Sequence, residues 1–255
     1  MGSPTDARMP SVVSAAPAFD AEADAFARRV GLTRLALQDW RTGLGGAVVV
    51  WCDGDGLALR GPVAGRTGPV RPTPPAPARP GRDPLLRAVG PWPRVIDATA
   101  GWAVDAGTLA AAGRDVVLVE RHPVLAALLA SAVGRWRGAG VEAAARMRVV
   151  CDDARRFLAG AETDVVLIDP MYPEPVGARG RARARKAESV RLLRRLVGDD
   201  ADQHELLAVA RRAARRRVVV KRPRQAPPLA GRDPSGVLAG RTVRYDLYAP
   251  EEVPT

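Results

Sequence analysis

Residues 94 to 249 alternate short, unbroken runs of Val, Ile and Leu with longer stretches in which apolar residues recur every three or four positions. Six runs are strand-like: 94–99, 115–121, 147–152, 164–169, 217–222 and 243–249. Helical spacing fills 105–112, closed by Gly113, then 123–133, 187–197 and 201–215. Pro123 suits the first turn of its helix, and Val124, Leu125, Leu128, Leu129, Ala132 and Val133 form one apolar face. Strands apolar at every position must be covered on both faces, which is the condition of a parallel sheet flanked by helices. The pattern predicts a doubly wound, Rossmann-like α/β sheet. Its last run, Tyr245 to Tyr248, alternates polar and apolar residues and predicts an antiparallel C-terminal edge strand.

Upstream the pattern is weaker. Residues 1–24, rich in Ala, Pro, Ser and Asp without a period, read as a disordered tail. A short helical segment, 25–30, ends at Gly31. Two strand-like runs, 47–51 and 57–60, flank Asp53-Gly54-Asp55-Gly56, a strong hairpin signal. Together these predict a small N-terminal α/β module over 25–62. Residues 63–84 are crowded with proline and glycine and predict an extended linker, leaving 85–255 as the larger domain.

Composition narrows the class. No stretch approaches the roughly 20 apolar residues needed to span a bilayer, and residues 1–20 lack the layout of a secretory signal. Cys52 and Cys151 stand alone, and His122 and His204 lie far apart, so neither a disulfide framework nor a metal-ligand cluster is expected. The expectation is a soluble cytoplasmic protein without metal or membrane. The net charge is +11, and it is local: residues 176–224 hold 16 Lys+Arg against 5 Asp+Glu, while the remainder balances. Phosphate neutralisation makes a polyanion such as nucleic acid the natural partner of that segment. A solvated arginine-rich face would carry the same count.

In a doubly wound sheet, ligands sit at the carboxyl ends of the strands. Four such ends here carry acids or small residues: Asp97-Ala98-Thr99-Ala100-Gly101, Glu120, Cys151-Asp152-Asp153-Ala154, and Asp169-Pro170-Met171-Tyr172-Pro173. Small residues let a backbone approach a ligand closely, and a strand-end acid can accept a ribose diol. Gly-x-Gly-x-x-Gly and Gly-Lys-Ser/Thr are both absent, which argues against NAD binding and nucleotide hydrolysis. One such acid alone is more often a capping or loop residue. Four in order point to a site.

The ordered set Asp-Ala-Thr-Ala-Gly, Val-Glu-Arg, Ile-Asp-Pro-Met-Tyr-Pro and Val-Val-Val-Lys-Arg-Pro resembles the class I S-adenosylmethionine-dependent methyltransferases. More closely, it is similar to the bacterial small-subunit ribosomal RNA guanine-N2 methyltransferase J family (RsmJ), from about Asp83 to Ala249. The resemblance implies S-adenosyl-L-methionine against Asp97, Thr99, Gly101, Val104 and Asp105, with Glu120 and Arg121 on the ribose side. It also implies Asp153 and Ala154 on the adenine side, and Asp169 beside the methyl donor. Where the family has Gly-Leu-Gly-Arg-Asp, this chain has Gly101-Trp102-Ala103-Val104-Asp105, and alanine at 103 fits at little cost where φ is negative.

An exocyclic amine is a poor nucleophile because its lone pair is delocalised into the ring. The Asp169 carboxylate and the Pro170 carbonyl are the expected acceptors of its N–H groups, and Tyr172 is expected to hold the base by stacking, worth about 1–3 kcal/mol. The expected substrate is a guanosine N2 near the 3′ end of 16S rRNA, free or in the small ribosomal subunit. Arg179, Arg181, Arg183, Arg185 and Lys186 follow the Asp-Pro-Met-Tyr-Pro turn, and Lys221 and Arg222 end the neighbouring strand, so all seven are expected to contact RNA. Two other readings stay open: a methyltransferase for another amine, such as an adenine N6 or a protein amide, and a catalytically silent RNA-binding module.

Overall fold

The computed structural model describes residues 9–43, 48–62, 68–77, 83–170, 181–197 and 203–251. The chain forms two compact units, one of residues 1–72 with 173–199, the other of 73–172 with 200–255.

In the first unit, β1 (Ser11–Ser14) pairs in parallel with β2 (Val49–Asp53), which pairs antiparallel with β3 (Gly56–Arg60). The hairpin expected around Asp53 is present. Gly56 takes a φ of 93°, and Asp53 Oδ1 accepts the Asp55 N–H at 3.0 Å. Helix α1 (Asp20–Val30) begins five residues earlier than its apolar spacing suggests and stops at Gly31, whose left-handed φ of 68° terminates it. It buries Ala23, Phe26 and Ala27. A single turn of helix, α2 (Leu37–Arg41), brings Trp40 against Trp51, with the Arg60 guanidinium 4.5 and 4.2 Å from the two ring centres.

Two expectations are corrected here. Residues 11–14 are strand and 17–24 helical, and Val12 and Val13 are fully buried once paired with β2, a gain invisible in four residues of sequence. Nor is the proline-rich stretch a free spacer: Val70 and Leu59 exchange two backbone hydrogen bonds at 2.8 Å, and Arg71 pairs with Asp53 at 2.7 Å. Proline lacks a donor, but the non-proline residues between can still join a strand edge.

The second unit opens with α3 (Pro84–Val89), capped by Asp83. Then follow β4 (Arg94–Asp97), α4 (Val104–Ala111), β5 (Asp115–Glu120), α5 (Pro123–Gly138), α6 (Glu142–Ala145), β6 (Met147–Cys151), α7 (Ala154–Ala159) and β7 (Thr163–Ile168). Helix α8 (Arg181–Val197) falls within the span assigned to the first unit and buries Leu192, Leu193 and Leu196. The second unit closes with α9 (Gln203–Ala213), β8 (Ala214–Pro223), β9 (Gly236–Ala239) and β10 (Val243–Tyr248).

Its seven-stranded sheet has the order β6-β5-β4-β7-β8-β10-β9. The first five strands are parallel, and β10 and β9 turn antiparallel. The expected antiparallel strand is therefore β10, with β9 beyond it at the edge. Every residue of β7 is buried. Ile96, Val119, Val166, Ile168, Val218 and Val220 pack with Leu158 of α7 and Leu206, Leu207 and Ala210 of α9 into one core. Each fully buried valine, leucine or isoleucine among them contributes roughly 1.5–3 kcal/mol. The chain leaves β4 outward through β5 and β6 and returns to β7 on its other side, so the strand order reverses between β4 and β7, where ligands of this architecture bind. Pro75 packs on α4, its Cγ 3.3 Å from the position a Cβ on Gly107 would take.

Candidate active site

The switch point is closed by a side chain. The Thr99 hydroxyl, two residues past β4, accepts the Asp169 N–H at 2.7 Å just past β7. Asp97, the last residue of β4, is buried and accepts the Thr99 N–H at 3.2 Å. Burial pushes its carboxyl up to about 7, the negative Asp105 and Asp169 add to the effect, and the Thr99 N–H and Lys221 oppose it. The connection to α4 is tight. The Ala98 N–H reaches Leu167 O at 2.9 Å, and that of Ala100 reaches Val119 O at 3.2 Å. Gly101 takes a φ of 50° and Ala103 a φ of 59°, so the condition under which alanine fits at little cost is not met, and the left-handed backbone costs about 1–2 kcal/mol for a residue with a Cβ. Val104, the first residue of α4, is 65% exposed.

Asp105, also in the first turn of α4, and Asp169 share one cation. Lys221 Nζ lies 2.6 Å from Asp105 Oδ2 and 2.8 Å from Asp169 Oδ2. Burial works against the ammonium, yet Asp169 and Asp105 outweigh it and hold the lysine protonated well above its ordinary range. Directly across the antiparallel ladder from Lys221 stands Tyr245, on the same face of the sheet. Burial pushes its phenol up to about 12, and Asp105 adds to the shift. Pro170, following Asp169, is buried.

On the other side of β4, Glu120 ends β5 buried, with Oε1 accepting the His122 N–H at 2.8 Å. Arg121 beside it is exposed. After β6, Asp153 caps α7: Oδ1 accepts the Arg155 N–H at 2.8 Å and Oδ2 meets the Arg155 guanidinium at 2.8 Å, which pulls its carboxyl down to about 2. Ala154 is buried behind it.

The structure thus brings Asp97, Thr99, Asp105 and Asp169 to one point and sets Glu120 on the neighbouring strand end. Two residues expected to contact RNA have partners within the protein. Lys221 is turned onto Asp105 and Asp169, two carboxylates that compete successfully with solvent for its ammonium. Arg222 is buried and donates to the Pro227 carbonyl, because alternation along β8 sends successive side chains to opposite faces. Tyr172 and Arg179 lie outside the described residues. Arg181, Arg183, Arg185 and Lys186 occupy the first two turns of α8. Tyr245 carries no sequence signal of its own, since its place opposite Lys221 is unreadable without the strand register. Among the described residues no group of His, Cys, Asp and Glu could hold a metal ion, and no helix is long and apolar enough to cross a membrane.

Residues 80–250 match the family described as "Putative SAM-dependent methyltransferase". The chain is similar to the ribosomal RNA small subunit methyltransferase J of Thioalkalivibrio sulfidiphilus, 46% identical over 176 residues, covering 65% of this chain and 67% of that one. It is likewise 46% identical over 176 residues to the protein of the same name from Laribacter hongkongensis, covering 66% and 61%. In structure it is similar to a SAM-dependent methyltransferase of Neisseria gonorrhoeae, with a TM-score of 0.67, 26% identity, and coverage of 96% of this chain and 98% of that one.

Proposed function

Since the chain belongs to the SAM-dependent methyltransferase family, and within it to the ribosomal RNA small subunit methyltransferase J proteins, we propose that it methylates the N2 amine of a guanosine near the 3′ end of 16S rRNA. The observation that carries this reading is the Asp169-Pro170 turn, anchored by Thr99 at the switch point beside three other strand-end or helix-start acids.

The residues present fit S-adenosylmethionine. A buried carboxylate at the end of β5, Glu120, offers acceptors to a ribose diol, and the left-handed turn at Gly101 and Ala103 brings backbone close to the strand ends. When bound, the cofactor supplies a methyl group made electrophilic by its sulfonium.

The chain's own task is orientation. The Asp169 carboxylate and the Pro170 carbonyl accept the two N–H groups of the target amine, turning its lone pair toward the methyl group, and Tyr172 stacks on the base. Effective molarity from such positioning supplies much of the rate. The proton that the amine sheds on methylation would pass to the Asp169 carboxylate. A paired guanine must first leave its stack, at a few kcal/mol. The arginines at the start of α8 hold backbone phosphates, which supply sequence-independent affinity.

Mass mapping of modified nucleosides in rRNA from a strain lacking this protein tests the reading: loss of one N2-methylguanosine near the 3′ end of 16S rRNA is expected, and an unchanged map contradicts it.

A further inference from the structure

Lys221 is partly buried on the sheet, with its ammonium 2.8 Å from Asp169 and 2.6 Å from Asp105. The three residues come from separate parts of the chain: β8, α4 and the position directly after β7. Two carboxylates this close to each other, with buried Asp97 nearby, repel unless a cation stands between them. A solvated phosphate-binding lysine has no reason to be seated there.

We propose that Lys221 is a positioning residue for methyl transfer: its ammonium, braced on Asp105, fixes the Asp169 carboxylate in one orientation and keeps it ionised as an acceptor for the target amine. This rests on the role given to Asp169 above. The N–H of Asp169 is already fixed by Thr99, so backbone and side chain are each tied down by a different element. Among the described residues, the charged and titratable groups beside the pair include Asp97 from β4, Asp105 from α4 and Tyr245 from β10, and Asp83 at the start of α3 acts on Tyr245. Lys221 places a positive charge between Asp105 and Asp169, and losing it makes ionisation of Asp169 harder. A lysine that merely tied β8 to α4 would affect stability and leave the pH dependence of turnover in place.

The test compares wild type with Lys221→Met and with Lys221→Arg, which keeps the cation. Titration of the Asp169 side-chain carbon is followed by ¹³C NMR, assigned with Asp169→Asn, and kcat on small-subunit rRNA is followed against pH at saturating S-adenosylmethionine. In Lys221→Met the Asp169 titration and the acidic limb of kcat should move up together by about one pH unit or more, a tenfold loss of turnover below the limb that high pH restores. Lys221→Arg should keep the limb where wild type has it, whatever its absolute rate. An Asp169 titration unmoved in Lys221→Met overturns the proposal, as does a shifted titration with an unmoved kcat limb. A wild-type protein that forms no N2-methylguanosine at any pH overturns instead the substrate reading, and with it the role given to Asp169.

Discussion

The Thr99 hydroxyl accepts the Asp169 backbone N–H at 2.7 Å, joining the ends of β4 and β7 across seventy residues of chain. A doubly wound sheet opens a crevice between these two strands, and this bond ties Asp169 to the segment after β4 across it. Thr99→Val keeps the shape and removes the acceptor. Loss of one such bond is worth about 1 kcal/mol, so the melting temperature should fall by only a few degrees while kcat falls about tenfold. Wild-type turnover in this variant would mean that the bond is only structural.

Ala103 holds a left-handed φ of 59° while only 3% exposed at the entrance to α4. Ala103→Gly removes the strain but also a buried methyl group and adds freedom to the unfolded chain, and these effects offset to within about 1 kcal/mol. Ala103→Val, branched at Cβ, should destabilise by about 2 kcal/mol or more and weaken S-adenosylmethionine binding. Urea unfolding and calorimetry of both variants check this. Equal stability of the two would show that the turn readily changes conformation.

Asp97 makes stability depend on pH in the direction opposite to that of an ion-paired carboxylate. Its carboxyl is raised from 3.8 in the unfolded chain to about 7 in the folded one, so between those values the native state binds the extra proton. Stability from this group therefore falls as pH rises from about 4 to 7 and is flat above. Asp97→Asn keeps an acceptor for the Thr99 N–H and abolishes the titration. The difference in unfolding free energy, wild type minus variant, should decline across that window by roughly 1.4 kcal/mol for each rise of one in pH. A difference that is flat with pH would show that Asp97 ionises normally.

The sheet is largely legible in the sequence because its strands are apolar at every position, a pattern that only burial on both faces explains. What escapes is short or non-local. Strand β9 has four residues, and α7 begins after Asp153, whose capping role is local but whose acid reads equally as an adenine acceptor. The strand-end acids are legible because Asp97, Glu120 and Asp169 each directly end or follow an apolar run. Lys221 is legible only as a cation at a strand end. Its turn toward Asp169 depends on β8 lying between β7 and β10, a relationship between residues 52 positions apart.

Cofactor affinity offers a separate check on Glu120. If its buried carboxylate receives the ribose diol, Glu120→Gln should weaken S-adenosylmethionine binding by more than about tenfold, since hydrogen bonds to a charged acceptor are worth about 1.5–3 kcal/mol. Calorimetry on the folded variant decides it, and undiminished affinity would place the ribose elsewhere.

For Arg179 and the arginines at the start of α8, log affinity for RNA should fall with log salt at roughly 0.7 per neutralised phosphate on single strands. Replacing Arg179, Arg181, Arg183 and Arg185 together should flatten that slope and leave S-adenosylmethionine binding intact. An unchanged slope in filter-binding titrations would mean that these residues form a solvated face.

The central claim is that Asp169 presents a guanine N2 to the methyl donor. Its most direct measurement is the methylated product formed by wild type and Asp169→Asn on small-subunit rRNA from a strain lacking the protein, mapped by mass after nuclease digestion. The variant keeps the side-chain shape but replaces one acceptor oxygen with a donor. Wild type should place one methyl group on the N2 of a guanosine in a single 3′-proximal fragment, and Asp169→Asn should bind the RNA equally well while forming at least about tenfold less of that product. Methylation of another base or position by wild type, or full activity in Asp169→Asn, would contradict the account.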